Sequence, residues 1–176
     1  MNILMHTCCG PCAVYPLESL KNEGHELVGL FFNHNIHPWT EYSNRLEAAK
    51  HLYEKENIRL IVLDEYLLEE FIRNVAFHEN ERCVYCYSSR LEKTAQMAKN
   101  EGFDAFTTSL LVSPYQKHDL IYDIGNQIAE KYHIKFFYKD FREGYRTGRQ
   151  KARELGLYMQ KYCGCIYSEK ERYKVK

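Results

Sequence analysis

Hydrophobic residues in this chain concentrate in five short runs that are separated by longer, more polar stretches. Runs of this length that are rich in Leu, Ile, Val and Phe are typical of strands buried on both faces of a sheet. We therefore predict five strands, at Asn2–Thr7, Glu26–Asn33, Ile58–Leu63, Asp104–Ser109 and Ile134–Tyr138.

The stretches between these runs carry apolar residues at helical spacing. The first has Val14, Leu17 and Leu20 on one face and stops at Gly24. We predict helices at Cys12–Glu23, Glu41–Glu56, Leu67–Val75, Ser88–Asn100, Leu120–Tyr132 and Arg146–Leu155, with a loop around Cys83 and Cys86. Strands that alternate with helices indicate an α/β fold with a parallel sheet, a Rossmann-like architecture of three layers.

Polar segments follow the first, fourth and fifth predicted strands. They begin at Cys8, at Ser109 and at Asp140. Because ligands of parallel sheets bind beyond the carboxyl ends of the strands, we expect these segments to share one edge and form a site.

The chain of 176 residues shows no repeat, linker or low-complexity segment, so we expect a single α/β domain over residues 1–176. No apolar run is long enough to span a membrane, and the N-terminus does not resemble a secretory signal. These features predict a cytoplasmic protein, in which thiols stay reduced.

The formal net charge is zero, but it is unevenly distributed. The segment Lys139–Lys176 has eleven Lys or Arg against five Asp or Glu, and we expect it to be helical, basic and to complete the site. Fifteen tyrosines add possible stacking surfaces for unpaired bases. A local polyanion site and an ordinary solvated tail both agree with this charge.

Seven cysteines form three tight groups, Cys8/Cys9/Cys12, Cys83/Cys86 and Cys163/Cys165. Distant segments that each bring clustered thiols favour a metal or redox centre over a framework of disulfides. Two such groups suffice for a site of four sulfurs, which holds either zinc or an iron–sulfur cluster. The adjacent pair Cys8 and Cys9 favours the cluster, because neighbours can ligate different irons more easily than one zinc ion.

Two alternatives use fewer of these thiols. Cys9-Gly-Pro-Cys12 matches the dithiol motif of a thiol–disulfide oxidoreductase, although Cys8 and the second pair exceed what that chemistry needs. A zinc ion that pins two loops of an RNA-binding module is the other alternative. The pair Cys163 and Cys165 would form a small, strained and labile disulfide, or ligate metal, or remain two thiols.

Other polar residues fall in the predicted loops. His34, His37 and His118 lie at the expected site edge, whereas His6 lies in a strand and is expected to be a satisfied core histidine. Asp140 is a candidate proton donor or metal ligand, although a carboxylate so near Arg142 more often forms an ion pair.

Five ordered segments together carry a resemblance to a known family. They are His6–Cys12, Asn33–Pro38 followed by Glu41, Tyr42 and Arg45, Arg82–Tyr87 followed by Arg90 and Leu91, Thr107–Pro114, and Tyr158–Ser168. From Asn2 to about Ser168 the chain resembles the QueH family of cobalamin-independent epoxyqueuosine reductases. His34 departs from the proline expected at its position, which leaves the cysteine pattern intact.

The resemblance implies the last step of queuosine biosynthesis, in which the epoxide of epoxyqueuosine at a tRNA wobble position is reduced to an alkene. It implies a [4Fe–4S] cluster ligated by Cys8, Cys9, Cys83 and Cys86, and no cobalamin. Cys163 and Cys165 take the role of a redox-active pair. Cys12 either holds an additional iron ion or is a bystander.

The same resemblance implies a tRNA partner and an electron donor that the sequence does not identify. Arg142, Arg146 and Arg149 are the predicted phosphate contacts in the basic segment. The architecture is related to the ATP-pyrophosphatase, or HUP, type. Because the first loop lacks the Ser-Gly-Gly-x-Asp-Ser phosphate loop of those enzymes, we predict no ATP binding.

Overall fold

A five-stranded parallel sheet forms the centre of the computed structural model, which describes residues 1–174. Val175 and Lys176, the last two residues of the predicted basic segment, lie outside the described residues. The strands are β1 (Asn2–His6), β2 (Glu26–Phe31), β3 (Leu60–Val62), β4 (Ala105–Thr108) and β5 (Lys135–Phe136). Their order is β3-β2-β1-β4-β5 and every pairing is parallel, which confirms the predicted α/β class.

Within residues 1–174, seven α-helices connect and follow the strands. They are α1 (Gly10–Asn22), α2 (Trp39–Lys55), α3 (Leu68–Val75), α4 (Arg82–Asn100), α5 (His118–Tyr132), α6 (Tyr145–Glu154) and α7 (Ile166–Tyr173). No helix among residues 1–174 has the length and apolar character needed to cross a membrane.

The central strand β1 creates the place where a ligand site is expected. It pairs with β2 on one side and β4 on the other, so Leu4 lies opposite both Val28 and Phe106. The chain leaves β1 toward β2 and returns later on the opposite side, which makes the β1–β4 boundary the switch point of the sheet. Ile3, Leu4 and Met5 are fully buried, so the loop that follows starts from a rigid base.

One predicted boundary is wrong in a way that affects the site. Helix α4 begins at Arg82, six residues before the predicted start at Ser88, so Cys83 and Cys86 lie on a helix and not in a loop. The segment Arg82–Tyr87 contains neither Gly nor Pro. Cys86, Tyr87, Arg90 and Leu91 are all buried on one helical face, and this packing extends the helix toward its N-terminus.

Candidate metal and redox centre

Cys8, Cys9 and Cys12 form the N-terminal thiol group, which lies directly beyond the carboxyl end of β1. Their three sulfur atoms lie within 4.8 Å of one another. Cys8 and Cys9 are buried, with 3.7 Å between their sulfurs, whereas Cys12 in the first turn of α1 is half-buried. Three clustered thiols are a donor set that suits a soft metal such as zinc or iron.

The backbone around this group has little freedom to move. A Cβ atom added at Gly10 would lie 2.5 Å from the carbonyl oxygen of Ala48 in α2, so only glycine permits this close approach. The amide of Cys8 donates to Ser109 Oγ at 3.1 Å, which ties the loop after β1 to the segment after β4. These contacts at the switch point between β1 and β4 therefore fix the position of the thiols.

The thiols of the N-terminal group differ in pKa. Hydrogen bonds from the Cys12 and Cys9 thiols hold the pKa of Cys8 well below its usual range. Burial instead raises the pKa of Cys9. Negative charge in this group is therefore favoured on Cys8 over Cys9.

Cys83, Cys86, Cys163 and Cys165 make up the second thiol group, which is separate from the three sulfurs that lie within 4.8 Å of one another. Cys83 and Cys86 come from the first turns of α4, and Cys163 and Cys165 come from the loop before α7. Burial, followed by the nearby thiols of this group, raises the pKa of Cys86 to about 12. All seven cysteines of the chain are free.

Arg90 lies between the two thiol groups. Its side chain is fully buried; Nη2 donates to Cys86 Sγ at 3.0 Å and Nε donates to the Cys86 carbonyl at 2.8 Å. Its charge also acts on Cys163 and on Cys8. Among residues 1–174, no carboxylate lies within 4.0 Å of this guanidinium.

Arg45 attaches the loop that carries Cys163 to the rest of the protein. Nη1 and Nη2 donate to the carbonyls of Cys163 and Tyr162, both at 2.8 Å. Nε donates to the buried carboxylate of Glu41 at 2.7 Å, one turn earlier on α2. A second link joins the His37 amide to the Gly164 carbonyl at 2.8 Å.

A cavity of about 940 Å³ opens where the two thiol groups meet. Cys8, Cys12 and Cys163 all line it, so both groups reach the same space. A volume in this range is typical of sites for small organic ligands, and a nucleoside falls within that class. Cys165 is buried and caps the N-terminus of α7, where its sulfur accepts a hydrogen bond from the Ser168 amide.

The histidines predicted at the site edge are buried. His34 and His37 are each 1% exposed, and burial lowers the pKa of His34 to about 3 and that of His37 to about 4. His34 bonds Ser89 Oγ through Nε2 at 2.9 Å, and no partner for Nδ1 of either ring is found within residues 1–174. His118 begins α5 and bonds the Ser113 carbonyl.

His6 is a satisfied core histidine, as the sequence predicts. Its two ring nitrogens bond Thr108 Oγ1 at 2.9 Å and Asn33 Oδ1 at 3.2 Å. Burial lowers its pKa to about 3, so the ring is neutral and holds three adjacent segments of the sheet edge together.

Asp140 and Arg142 bind one another on the surface. Two bonds from Arg142 Nε and one from Nη2 hold the carboxylate, and Arg142 lowers the pKa of Asp140 to about 2. Neither residue lines the cavity, and Arg146 is exposed elsewhere on α6, whereas Arg149 does line it. The proposed roles of these four residues stay predictions.

Four polar residues near the sulfurs were not assigned from the sequence. Gln160 donates to Cys12 Sγ at 2.9 Å and Gln116 to Cys163 Sγ at 3.3 Å, while Arg45 and Arg90 act as described above. Arg45, Arg90 and Gln160 belong to the segments that carry the family resemblance, and this was the available signal. No sequence signal marks Gln116.

Comparisons with known proteins agree with this arrangement. The family model described as "Epoxyqueuosine reductase QueH" matches residues 3–171. The "Epoxyqueuosine reductase QueH" of Dehalococcoides mccartyi is 36% identical over 171 residues, which cover 97% of this chain and 94% of that protein. The protein of the same name from Thermotoga maritima is 36% identical over 180 residues, with coverage of 97% and 91%.

One solved structure supports the fold. It is the crystal structure of a predicted subunit of tRNA methyltransferase from Methanocaldococcus jannaschii, with a TM-score of 0.56 and 15% sequence identity. The similarity covers 88% of this chain and 76% of the other. At this identity it is evidence for the shared α/β architecture alone.

Proposed function

The chain belongs to the epoxyqueuosine reductase QueH family, and from this premise we propose the reaction that it catalyses. It is an oxidoreductase that reduces the epoxide of epoxyqueuosine, at the wobble position of a tRNA, to the alkene of queuosine. The reaction consumes two electrons and two protons and releases the epoxide oxygen as water. It is the last step of queuosine biosynthesis.

The meeting of two thiol groups at one cavity is the observation that carries this proposal. Cys8 and Cys12 reach the cavity from the switch point of the sheet, and Cys163 reaches it from the loop before α7. A substrate in this cavity would lie against both groups. This arrangement supports redox chemistry on a bound nucleoside, whereas a structural zinc clamp would need no adjoining cavity.

We infer that the thiols hold a [4Fe–4S] cluster with Cys8, Cys9, Cys83 and Cys86 as ligands. Soft sulfur ligands from separate segments are the usual cluster ligands, which supports this set. The structure gathers Cys8, Cys9 and Cys12 within 4.8 Å and holds Cys83 and Cys86 in the second thiol group, so the set stays a proposal. Cys12 is left to an additional iron ion or to a supporting role. A bound cluster would supply electrons singly, and no cobalamin or ATP enters the proposal.

The protein residues around the sulfurs have separable roles. Gln160, Gln116 and Arg90 donate hydrogen bonds to sulfur atoms, which stabilises negative charge there and raises reduction potentials. Arg45 fixes the loop that presents Cys163 to the cavity. These contacts keep the reacting groups in place while the substrate enters.

Cys163 and Cys165 are proposed as the store for two electrons. Their oxidation to a disulfide releases two electrons and two protons, the amounts that the epoxide consumes. An electron donor of unidentified nature must then reduce the pair again. Asp140 stays a predicted proton donor, although its ionised pair with Arg142 keeps it deprotonated at neutral pH.

The partner is proposed to be a tRNA with epoxyqueuosine in its anticodon. A base inside a folded loop must be splayed out to enter a cavity of this kind. Arg142, Arg146 and Arg149 are the proposed phosphate contacts, and of these Arg149 lies at the cavity. Cys9 is fully buried, which disfavours the alternative exchange of disulfides with other proteins.

The experiment measures iron, acid-labile sulfide and turnover of epoxyqueuosine tRNA for protein purified without oxygen. We expect about four irons per chain and a band that bleaches on reduction. Cys83→Ala loses both the cluster and activity. Cys165→Ser is the matched control, since it keeps the iron and loses only multiple turnover.

Three results would contradict the proposal. Normal iron content in Cys83→Ala would overturn the ligand set. Unchanged steady-state turnover in Cys165→Ser would make the pair structural. A colourless protein with one zinc ion and no reductase activity would favour the RNA-binding module.

A further inference from the structure

Four tyrosines line the cavity described above, and we call them the tyrosine rim: Tyr115, Tyr145, Tyr162 and Tyr173. They form two edge-to-face pairs. Tyr115 and Tyr145 have ring centroids 6.0 Å apart at 78°, and Tyr162 and Tyr173 have centroids 6.5 Å apart at 77°. An edge-to-face contact uses one face of one ring, so each pair leaves other ring faces for a third planar group.

Two rings of the tyrosine rim are unusually exposed for aromatic side chains. Tyr115 is 82% exposed and Tyr173 is 50% exposed. A single exposed tyrosine needs no explanation, but several around one cavity mark a surface for a ligand with large planar groups.

The charged residues at the rim are mainly basic. Arg149, Arg153, Lys161 and Arg172 line the cavity, and none has a carboxylate within 4.0 Å among residues 1–174. Arg149 also lies over the Tyr145 ring, 5.7 Å from its centroid. The acidic residue of the lining, Glu171, is engaged by Arg82 at 2.5 Å, so its charge is already compensated.

We infer that the tyrosine rim binds unpaired nucleotides on either side of the nucleotide that enters the cavity. Their bases stack on Tyr115 and Tyr173, and their phosphates contact Arg153 and Arg172. Exposed aromatic rings beside unpaired cations are the elements that recognise single-stranded nucleic acid. That the RNA is a tRNA anticodon loop rests on the proposed function.

A duplex cannot use the rim in this way. Its bases are stacked on each other and present only edges in the grooves, so ring faces such as those of Tyr115 gain no base to stack on. An unpaired loop has free base faces, and one of its nucleotides must leave the loop to reach Cys163. The rim therefore selects for looped RNA over helical RNA.

The test compares two tyrosine variants of the full chain, Tyr115→Ala and Tyr122→Ala. Tyr122 is the matched control: it is 48% exposed and forms an edge-to-face pair with Tyr138, at 5.0 Å and 84°, away from the cavity lining. Binding of a labelled, unmodified anticodon stem–loop RNA is measured by fluorescence anisotropy.

Loss of one stacked base weakens binding by roughly 5-fold to 150-fold, so Tyr115→Ala should raise Kd within that range. Tyr122→Ala should leave Kd unchanged. Arg153→Gln should lower the slope of log Kd against log salt by about 1, as expected for one lost phosphate contact. Equal Kd values for the two tyrosine variants would overturn the inference that the tyrosine rim binds unpaired nucleotides. Equally strong competition by duplex RNA would also overturn it.

A separate measurement keeps this inference distinct from the proposed function. If the wild-type protein does not reduce epoxyqueuosine tRNA, the proposed function fails. The RNA-binding comparison of the two tyrosine variants still tests whether the tyrosine rim binds unpaired nucleotides. If the wild-type protein is active and the KM for tRNA is the same in both tyrosine variants, nucleotide binding by the tyrosine rim is ruled out and the reductase activity is supported. A higher KM in Tyr115→Ala alone supports both.

Discussion

Arg45 and Arg90 are the two largest fully buried side chains of the protein, yet their surroundings differ in one decisive respect. Each is 1% exposed and each lies beside a thiol-bearing segment. Arg45 has the carboxylate of Glu41 as a partner at 2.7 Å, together with two backbone carbonyls. Arg90 has the sulfur and the carbonyl of Cys86.

The difference shows that only one of the two cations is compensated by the folded chain itself. A buried charge without a counter-charge is costly, so Arg45 with Glu41 is a complete structural unit. Burial raises the pKa of Cys86 to about 12, so the thiol that contacts Arg90 is uncharged at neutral pH and gives the guanidinium no adjacent counter-charge until it becomes a thiolate. Thiolates that hold the proposed cluster would supply a counter-charge to Arg90, whereas Arg45 has its counter-charge with or without metal.

Arg45→Met should have the largest effect on stability. It leaves Glu41 as an unpaired buried carboxylate and frees the carbonyls of Tyr162 and Cys163, at a cost of about 3–5 kcal/mol. Unfolding in urea should show this loss equally in iron-free and iron-loaded protein. The double variant Arg45→Met/Glu41→Gln, which removes the unpaired charge, should recover part of the stability.

Arg90→Met should affect the two states in opposite directions. In iron-free protein it replaces an uncompensated cation with an apolar side chain of similar length, so stability should rise by about 1–4 kcal/mol. In protein purified without oxygen it should lower iron content, because the thiolates lose their nearest positive charge. Equal destabilisation of both states would make Arg90 an ordinary packing residue and remove the contrast with Arg45.

Most of the fold could be predicted from the sequence, because short apolar runs and the glycines after helices mark the elements directly. The buried ion pair could not, since Glu41 and Arg45 lie four residues apart and look like an exposed pair on a helix surface. The sequence also hides the start of α4, because the spacing of Cys83 and Cys86 favours a loop of ligands, whereas tertiary packing of Tyr87 and Arg90 determines the helix.

The candidate site divides in the same way. Clustering of the cysteines predicts a sulfur centre beyond β1, because that inference needs only the order of strands and the chemistry of thiols. The donors Gln116 and Gln160 come from separate loops, and the cavity is lined by segments that are distant in sequence. No local pattern encodes such contacts.

Arg90→Lys should separate charge from geometry with a smaller effect. Lysine keeps the positive charge but loses the planar fork that reaches both the Cys86 sulfur and its carbonyl, a loss of about 1 kcal/mol for a bond of this kind. Iron content should stay near that of the wild-type protein. The midpoint potential of the proposed cluster should become less negative than in Arg90→Met. A potential as negative as that of Arg90→Met would mean that the bond to Cys86 and not the charge is what matters.

Tyr158→Phe should have the smallest effect and tests the edge of the Arg45 region. The Tyr158 hydroxyl donates to the second carboxylate oxygen of Glu41, but the tyrosine is 36% exposed, so water can replace the lost donor. We expect a loss of about 1 kcal/mol in thermal unfolding, the same with and without iron. Tyr138→Phe, also 36% exposed and remote from Glu41, is the control. A loss that appears only in iron-loaded protein would place Glu41 with the sulfur centre, and Arg45 would then cease to differ from Arg90.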